Sequence, residues 1–425
     1  MASGKRAVPL RAQIVALAKG GDGVASVIST NGYRSLLVPR TVPGDVVDVV
    51  EDKSGKGRLL RVLEPSVRRV QPPCPYTDTC GGCDWMHIDL DTQRSARPTI
   101  VGDEMHRAGV PVPEIESHPA EQTLRYRARA RLAILATPRG IVVGFRAPRS
   151  HRVVPVDTCQ VLVPELDEAR GELAAWLAGS VGAGEASLCR GHRGRPAIHL
   201  AWEGTLNPRV FAHAEQQVDR GRWAGVSVLL EGATAPATLG DARGVTLGGD
   251  GLPLVVPAGG FMQAHEQMNG HLVRHVEAIA GIDGEPVLEL FAGSGNFTVA
   301  LARRTDGLET VEQSAAAVDA ARENLEGRGL KARLHVGDAE GARVRPGVRT
   351  VVLDPPRAGA RGAVERIAAS RVRTVVMVSC DPATLARDAS ILLHKGRFAL
   401  ERLDVFEMFP CTSHVEAVAL FRRER

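Results

Sequence analysis

The residue best placed for covalent chemistry in this chain is Cys380. It follows an apolar run, Thr374 to Val378, that reads as a buried strand. It precedes a helical pattern starting at Pro382, with Asp381 as the expected N-cap. That sets the sulfur at a strand-to-helix turn, where ligands bind in open α/β sheets. A nearby helix N-terminus favours the thiolate, the nucleophilic form. A buried, inert cysteine is the competing reading, and the neighbouring motifs decide between the two.

A second group of sulfurs points to metal. Cys74, Cys80 and Cys83 are separated by five and then two residues on a Gly/Pro-rich loop, and glycine lets such a loop turn several sulfurs to one point. Cys159, in Val156-Asp157-Thr158-Cys159-Gln160, is the candidate fourth ligand. Four thiolates suit tetrahedral zinc or a four-iron–four-sulfur cluster. Structural zinc usually comes as two CxxC pairs, so a compact triplet with one remote cysteine leans towards iron–sulfur. The chain has 7 cysteines, an odd number, and shows no secretion signal, which argues against a disulfide framework. Cys189 takes no role in this scheme.

Acids and glycines mark a third site. Glu289-x-Phe291-x-Gly293-x-Gly295 follows an expected strand, Pro286 to Leu290, and opens a helix. Its glycines permit a tight turn with close backbone approach to a ligand. A dinucleotide fingerprint would need glycine or alanine at position 298, which is Thr298, so a pyrophosphate site is disfavoured. Glu312 ends the next strand, where a carboxylate can take both ribose hydroxyls. Asp338, ending the third, is placed for an adenine amino group, and Asp354 ends the fourth. An acid-rich edge repels phosphate and suits the uncharged ribose and cationic sulfonium of S-adenosylmethionine.

The elements that must position these groups fall into three expected domains. Residues 1–66 show five short strands broken by glycine: Ala12 to Ala18, Val24 to Ile28, Leu36 to Pro39, Val46 to Val50 and Leu59 to Leu63. That pattern fits a small barrel of the oligonucleotide-binding kind. Residues 67–255 form a central α+β domain with the metal cysteines. Residues 256–425 alternate strand and helix, which implies a doubly wound, Rossmann-like parallel sheet; Leu403 to Phe409 and Val415 to Phe421 close it as an antiparallel pair. In the central domain Arg125, Arg127, Arg129 and Arg131 recur at period two, which places them on one face of a strand suited to phosphate.

Composition agrees with a soluble, multi-domain protein: 425 residues, 44% hydrophobic, 24% charged. No stretch approaches the ~18 consecutive apolar residues of a membrane helix. Met1 to Leu10 has no apolar core of signal-peptide length, so a cytoplasmic protein is expected, and a monomer. Residues 1–73 carry 12 basic and 6 acidic side chains, net +6, against −2 for the rest. A basic front module suggests an arm for a polyanion, with a merely solvated basic face as the alternative. Tyr33 is the one aromatic before residue 67, so such a barrel would hold RNA through phosphate and shape.

Five stretches resemble the RNA (uracil-5-)-methyltransferase family. They are Gly260-Phe261-Met262-Gln263, Leu290-Phe291-Ala292-Gly293-Ser294-Gly295-Asn296-Phe297-Thr298, Asp354-Pro355-Pro356-Arg357-Ala358-Gly359, Ser379-Cys380-Asp381-Pro382-Ala383-Thr384-Leu385-Ala386-Arg387-Asp388, and Met408-Phe409-Pro410-x-Thr412-x-His414-Val415-Glu416. The front of the chain resembles a TRAM domain followed by the cysteine triplet. The combination is similar to the family's iron–sulfur branch, whose members methylate uridine in 23S ribosomal RNA. The resemblance implies that Cys380 is the nucleophile and Glu416 the base. It implies that Gln263, Phe291, Asn296, Glu312, Asp338 and Asp354, with the Gly293 and Gly295 turn, line an S-adenosylmethionine pocket. It also implies that Cys74, Cys80, Cys83 and Cys159 hold a [4Fe-4S] cluster. The chemistry agrees: carbon 5 of uracil is a poor nucleophile until a thiolate adds at carbon 6, and a base must then remove the carbon-5 proton.

Three positions depart from the family pattern: Asp381 and His265 stand where asparagine is common, and Cys411 where histidine is. The helix-like stretch Thr92 to Arg107 is expected to pack on the C-terminal domain. Competing readings are a transfer-RNA uridine as target, an amino-group methyltransferase (position 357 is arginine where that motif needs an aromatic), cytosine-5 methylation, and a non-catalytic iron–sulfur RNA-binding protein.

Overall fold

The computed structural model describes residues 9–29, 32–52 and 55–424. Lys5, Arg6 and Lys53, part of the basic charge at the front, lie outside the described residues. Strands β1 (Leu10–Leu17), β2 (Gly23–Ser29), β3 (Gly32–Val38), β4 (Val46–Glu51) and β5 (Gly57–Glu64) form an antiparallel sheet in the order β3-β2-β1-β4-β5. Ala12, Ile14, Leu36, Val38, Val47 and Val49 share its core, at the spacing that period two requires. A Cβ on Gly57 would lie 2.6 Å from Val38, so β5 curls against β3 with no room for a side chain.

Next come α1 (Leu90–Arg107) and β6 (Ile115–His118), then a seven-stranded central sheet. It contains β7 (Arg129–Thr137), β8 (Gly140–Arg146), β9 (Val153–Pro155), β10 (Val181–Arg190), β11 (Pro196–Thr205), β12 (Gly225–Leu230) and β13 (Ala237–Gly240). Helices α2 (Pro164–Trp176) and α3 (Arg209–Asp219) cover it, over a core with Trp176, Trp202 and Trp223. The Gly232 to Gly251 stretch, expected as a loop-rich connection, contributes β13 and the first strand of the hairpin β14 (Gly244–Leu247) and β15 (Pro253–Val256).

The remaining elements are α4 (Glu266–Ala280), β16 (Val287–Leu290), α5 (Thr298–Leu301), β17 (Leu308–Glu312), α6 (Ala315–Glu326), β18 (Arg333–Val336), β19 (Thr350–Leu353), α7 (Arg361–Ala368), β20 (Thr374–Ser379), α8 (Pro382–Gly396), β21 (Phe398–Phe406) and β22 (Glu416–Arg423). Their sheet runs β18-β17-β16-β19-β20-β22-β21-β6, parallel from β18 to β20, with β22 antiparallel to both neighbours. The middle strands are mostly apolar, as in Thr-Val-Val-Met-Val of β20, because helices cover both faces; Glu289 of β16 is an exception. One core takes Met105 of α1, Val364 of α7 and Leu385 of α8; the other takes Val273 of α4, Val299 of α5 and Leu325 of α6. This is the doubly wound sheet expected from strand–helix alternation.

The sheet is not confined to residues 256–425. Its edge strand β6 pairs in parallel with β21, Ile115 opposite Leu403. With one apolar residue in Ile-Glu-Ser-His, β6 carries no alternation to read. Helix α1 also packs here, starting at Asp89, whose carboxylate accepts the Thr92 N–H at 2.7 Å.

Candidate active site

Because β16 to β20 are parallel, their C-terminal ends share one edge, and the strand order reverses between β16 and β19. Ligand crevices open at such a switch point. Phe291, Gly293, Gly295 and Asn296 follow β16, Glu312 ends β17, Asp338 follows β18, Asp354 follows β19 and Cys380 follows β20. The β16 turn is left-handed at Phe291 (φ 61°), Gly293 (φ 55°) and Gly295 (φ 91°). At Phe291 that conformation is strained for a residue with a side chain, and its N–H to the Val311 carbonyl at 3.0 Å holds it.

The turn is locked from three sides. Glu312 accepts the N–H of Gly293 at 3.0 Å and of Ser314 at 2.9 Å, which pins its carboxylate over the glycine turn. Asn296 and Asn269 exchange amide hydrogen bonds of 2.8 and 2.9 Å. Asn324 donates to the Ser294 carbonyl at 2.9 Å. Sequence reasoning missed Asn269 and Asn324, which sit as lone polar residues on helical faces. Gln263 is buried beside exposed Phe261, and Asp338 is exposed. Beneath the turn Glu289 is buried, with the hydroxyl and N–H of Thr298 as its polar neighbours. Burial pushes Glu289 up to about 8.

Cys380 and Glu416 face each other. Ser379 of β20 pairs with Ala417 of β22, so the next step of that register sets Cys380 against Glu416. Burial, then the Glu416 and Asp354 carboxylates, push the Cys380 thiol up to about 11, with Arg357 acting against them. This corrects the expectation that a helix N-terminus would favour the thiolate. Asp381 takes the first free N–H groups of α8, from Ala383 at 3.1 Å and Thr384 at 3.0 Å, so the helix end is spent on Asp381. Burial pushes Asp354 up to about 7, and burial and Asp354 together push Glu416 well above the carboxylate range. Arg357 donates to His414 Nδ1 at 3.0 Å; burial, then Arg357, bring that imidazole down to about 4, so it is neutral and can accept. Arg357 directly follows Asp354-Pro355-Pro356, and its place in that motif does not by itself point to this contact.

The four expected metal cysteines, Cys74, Cys80, Cys83 and Cys159, line one pocket together with Arg127 and Met86. Gly82 N–H donates to Cys80 Sγ at 3.4 Å, and the Val161 and Leu162 amides face the Cys159 sulfur. Burial raises the thiols of Cys80, Cys83 and Cys159. Among the described residues no three of these sulfurs lie within 4.8 Å of one another. The compact metal-type group is elsewhere: His118 and His275 stand 3.0 and 3.2 Å from Asp404. Arg402 also donates to Asp404 at 2.8 Å, so that carboxylate already has its cation.

The single arginine face does not form. Arg125 is left-handed (φ 52°) and β7 begins only at Arg129. Arg127 turns towards the cysteine pocket, with its buried Nε unpartnered and its guanidinium 5.7 Å from the Phe409 ring. Its backbone bridges loops, donating to Val161 and accepting from Val163, in place of a regular strand ladder.

An open α/β sheet with an antiparallel final hairpin, a glycine turn at the switch point and acids on three successive strand ends defines a Rossmann-like methyltransferase. The model of the tRNA (uracil-5-)-methyltransferase family matches residues 254–334 and 345–424. The chain is 33% identical to the 23S rRNA (uracil(1939)-C(5))-methyltransferase RlmD of Alkalilimnicola ehrlichii, covering 98% of this chain and 97% of that protein. It is 34% identical to the RlmD of Cronobacter sakazakii, covering 99% of each. In fold it matches the tRNA (uracil-54, C5)-methyltransferase of Pyrococcus abyssi, solved with S-adenosyl-L-homocysteine, at a TM-score of 0.77 and 24% identity, covering 97% of this chain and 99% of that one. The chain belongs to the RNA (uracil-5-)-methyltransferase family.

Proposed function

We propose that this protein transfers a methyl group from S-adenosylmethionine to carbon 5 of a uridine in 23S ribosomal RNA, through a bond between Cys380 and carbon 6. The observation that carries this reading is the meeting of Cys380, Glu416 and Asp354 at the switch-point edge, where the register sets sulfur and base side by side. The choice of 23S RNA is supported by the full-length relatives.

The steps follow from the side chains. Cys380 gives up its proton to solvent and its thiolate adds to carbon 6, pushing electrons into an enolate that makes carbon 5 nucleophilic. Carbon 5 then attacks the sulfonium methyl, and the methyl–sulfur bond breaks with its electron pair going to sulfur, leaving S-adenosylhomocysteine. The ionised form of Glu416, a stronger base because burial and Asp354 raise its proton affinity, removes the carbon-5 proton, and the electron pair left behind expels the sulfur and restores the ring. The crowded acids oppose ionisation of the thiol on their own, and the positive sulfonium would offset them. Glu312 and Asp338 suit ribose and adenine, with Gln263, Phe291, Gly293, Gly295 and Asn296 forming the rest of the pocket wall.

Cys74, Cys80, Cys83 and Cys159 would hold a [4Fe-4S] cluster. The four cysteines line one pocket, and the N–H groups at Cys80 and Cys159 suit ligating thiolates. The N-terminal barrel, resembling a TRAM domain, would bind RNA alongside.

RNA containing 5-fluorouridine tests the mechanism, since fluorine in place of the carbon-5 proton blocks release. The protein should stay attached to that RNA through Cys380. An accepted RNA that leaves no adduct, or one formed on another residue, overturns the reading. Loss of 5-methyluridine from transfer RNA instead of 23S RNA in a deletion strain would reassign the substrate.

A further inference from the structure

We propose that Lys19, on the N-terminal barrel, is a positioning residue for Cys380: by pairing with Asp381 it holds the catalytic turn and cancels a carboxylate charge one residue from the sulfur. The inference rests on Cys380 being the nucleophile. Lys19 Nζ lies 2.8 Å from Asp381 Oδ1, across 362 residues of sequence. The same oxygen caps α8 through the Ala383 and Thr384 N–H groups. One cation from the barrel thus touches the group that sets where the helix begins, directly after Cys380.

Lys19 is not a loose surface arm. Its turn, between β1 and β2, is left-handed at Gly20 (φ 87°) and Gly21 (φ 91°). Trp85 Nε1 donates to the Gly21 carbonyl at 3.2 Å, and a Cβ on Gly21 would stand 2.2 Å from Asp84 Oδ2. Arg149 holds Asp22 at 2.6 Å, and Ser413 N–H donates to Asp84 at 2.8 Å. The barrel tip, the Asp84-Trp85 loop and the loop leading to Glu416 therefore form one continuous wall beside Cys380.

An exposed ion pair adds little to folding, so its worth here lies in its place. The sulfur already faces Glu416 from β22 and Asp354 from the loop after β19, with Arg357 as their cation and neutral His414 behind it. Asp381, on the turn of Cys380 itself, adds a third acid. Lys19 is the cation that answers it. Asparagine would cap α8 as well as aspartate without the charge, so removal of Lys19 should matter only while residue 381 is an acid.

The test uses the full chain and two readouts: the pH dependence of Cys380 alkylation by iodoacetamide, followed on its peptide by mass spectrometry, and steady-state methylation of RNA. Lys19→Ala should move the alkylation midpoint up by about half to one pH unit, a roughly 3- to 10-fold loss of thiolate at fixed pH, and lower kcat by a similar factor. Lys19→Arg should keep both near wild type. Adding Asp381→Asn to Lys19→Ala should restore the profile. An unchanged profile in Lys19→Ala overturns the proposal, as does a defect confined to KM, which would make Lys19 a phosphate contact, or one that Asp381→Asn fails to rescue. Alkylation reads the sulfur without methyl transfer. Methylation that survives in Cys380→Ala would therefore fault the nucleophile assignment separately, leaving the effect of Lys19 on that sulfur measurable.

Discussion

Cys380 stands at the end of a buried parallel strand, whereas Cys74, Cys80, Cys83 and Cys159 sit on loops from separate parts of the central segment. Burial raises thiols at both places. The charges around them differ. Cys380 faces the carboxylates of Glu416 and Asp354, and its pocket suits a passing cation. The cysteine pocket has the Arg127 guanidinium and backbone N–H groups instead, an environment that suits several thiolates held permanently. A sheet edge offers one accurately placed sulfur beside acids; loops offer several sulfurs lining one pocket.

The largest expected effect separates the two plans. Cys380→Ala should lower turnover by about 10³-fold or more while leaving the melting temperature and any iron content unchanged. Cys83→Ser should do the reverse, losing iron and brown absorbance and lowering thermal stability. If Cys380→Ala bleached the protein, or Cys83→Ser left colour and stability intact, the division of labour would be wrong.

Helix α1 ties the two regions together, and breaking that tie is the next test. Gln93 donates to the Trp85 carbonyl at 3.1 Å and accepts the Cys411 N–H at 3.0 Å. Arg97 is 2% exposed and reaches Glu407 and the Thr412 carbonyl at 3.0 and 3.1 Å. Arg97→Ala leaves a buried carboxylate without its main cation, which should cost about 3–5 kcal/mol in denaturant melts. Arg94, more exposed on the other oxygen of Glu407, should cost about 1 kcal/mol or less when truncated. Equal losses would mean that the Glu407 network is not organised around Arg97.

Proton linkage sharpens the picture of the sheet edge. Glu289 titrates at about 8 in the folded protein, against an ordinary 4.5. A raised folded value means that its contribution to stability is complete below the unfolded value and is lost as pH rises through the folded one. Between pH 5 and pH 9 the wild type should lose about 3–4 kcal/mol that Glu289→Gln does not lose. Melts of both proteins at the two pH values measure it, and parallel pH dependence would rule out a neutral, buried Glu289.

Much of the sheet edge was legible in the sequence because Phe291, Asp354 and Cys380 each follow a mostly apolar strand and open a turn, whereas Glu416 begins a strand and Gln263 precedes a helix, so no such pattern marks them. The cysteine pocket was legible as a set of ligands but not as a place. Cys411 lies against it with its N–H on Gln93 and its thiol raised by burial to about 11, yet in sequence it is an isolated residue far from the triplet. Strand β6 and the Lys19–Asp381 pair were invisible for the same reason: they depend on segments meeting across hundreds of residues, which periodicity does not report. The raised thiol of Cys380 was not legible because it comes from burial first and then from the acids that β22 and the β19 loop bring alongside, none of which a helix N-terminus in the sequence reports.

The smallest expected effects lie in the arginine run, where alternation suggested four equivalent side chains. Arg131 is exposed and pairs with Glu185 at 3.0 Å. Arg131→Ala should change stability by less than about 1 kcal/mol. If Arg131 also meets an RNA phosphate, the slope of log binding constant against log salt should fall by about 1, with no change in iron content. Arg127→Ala removes a guanidinium that lines the cysteine pocket, so it should leave that slope unchanged and reduce any iron occupancy instead. Two neighbours on one apparent face would then report to different sites, and a shared salt dependence would restore the single phosphate-binding face that the left-handed turn at Arg125 and the inward course of Arg127 argue against.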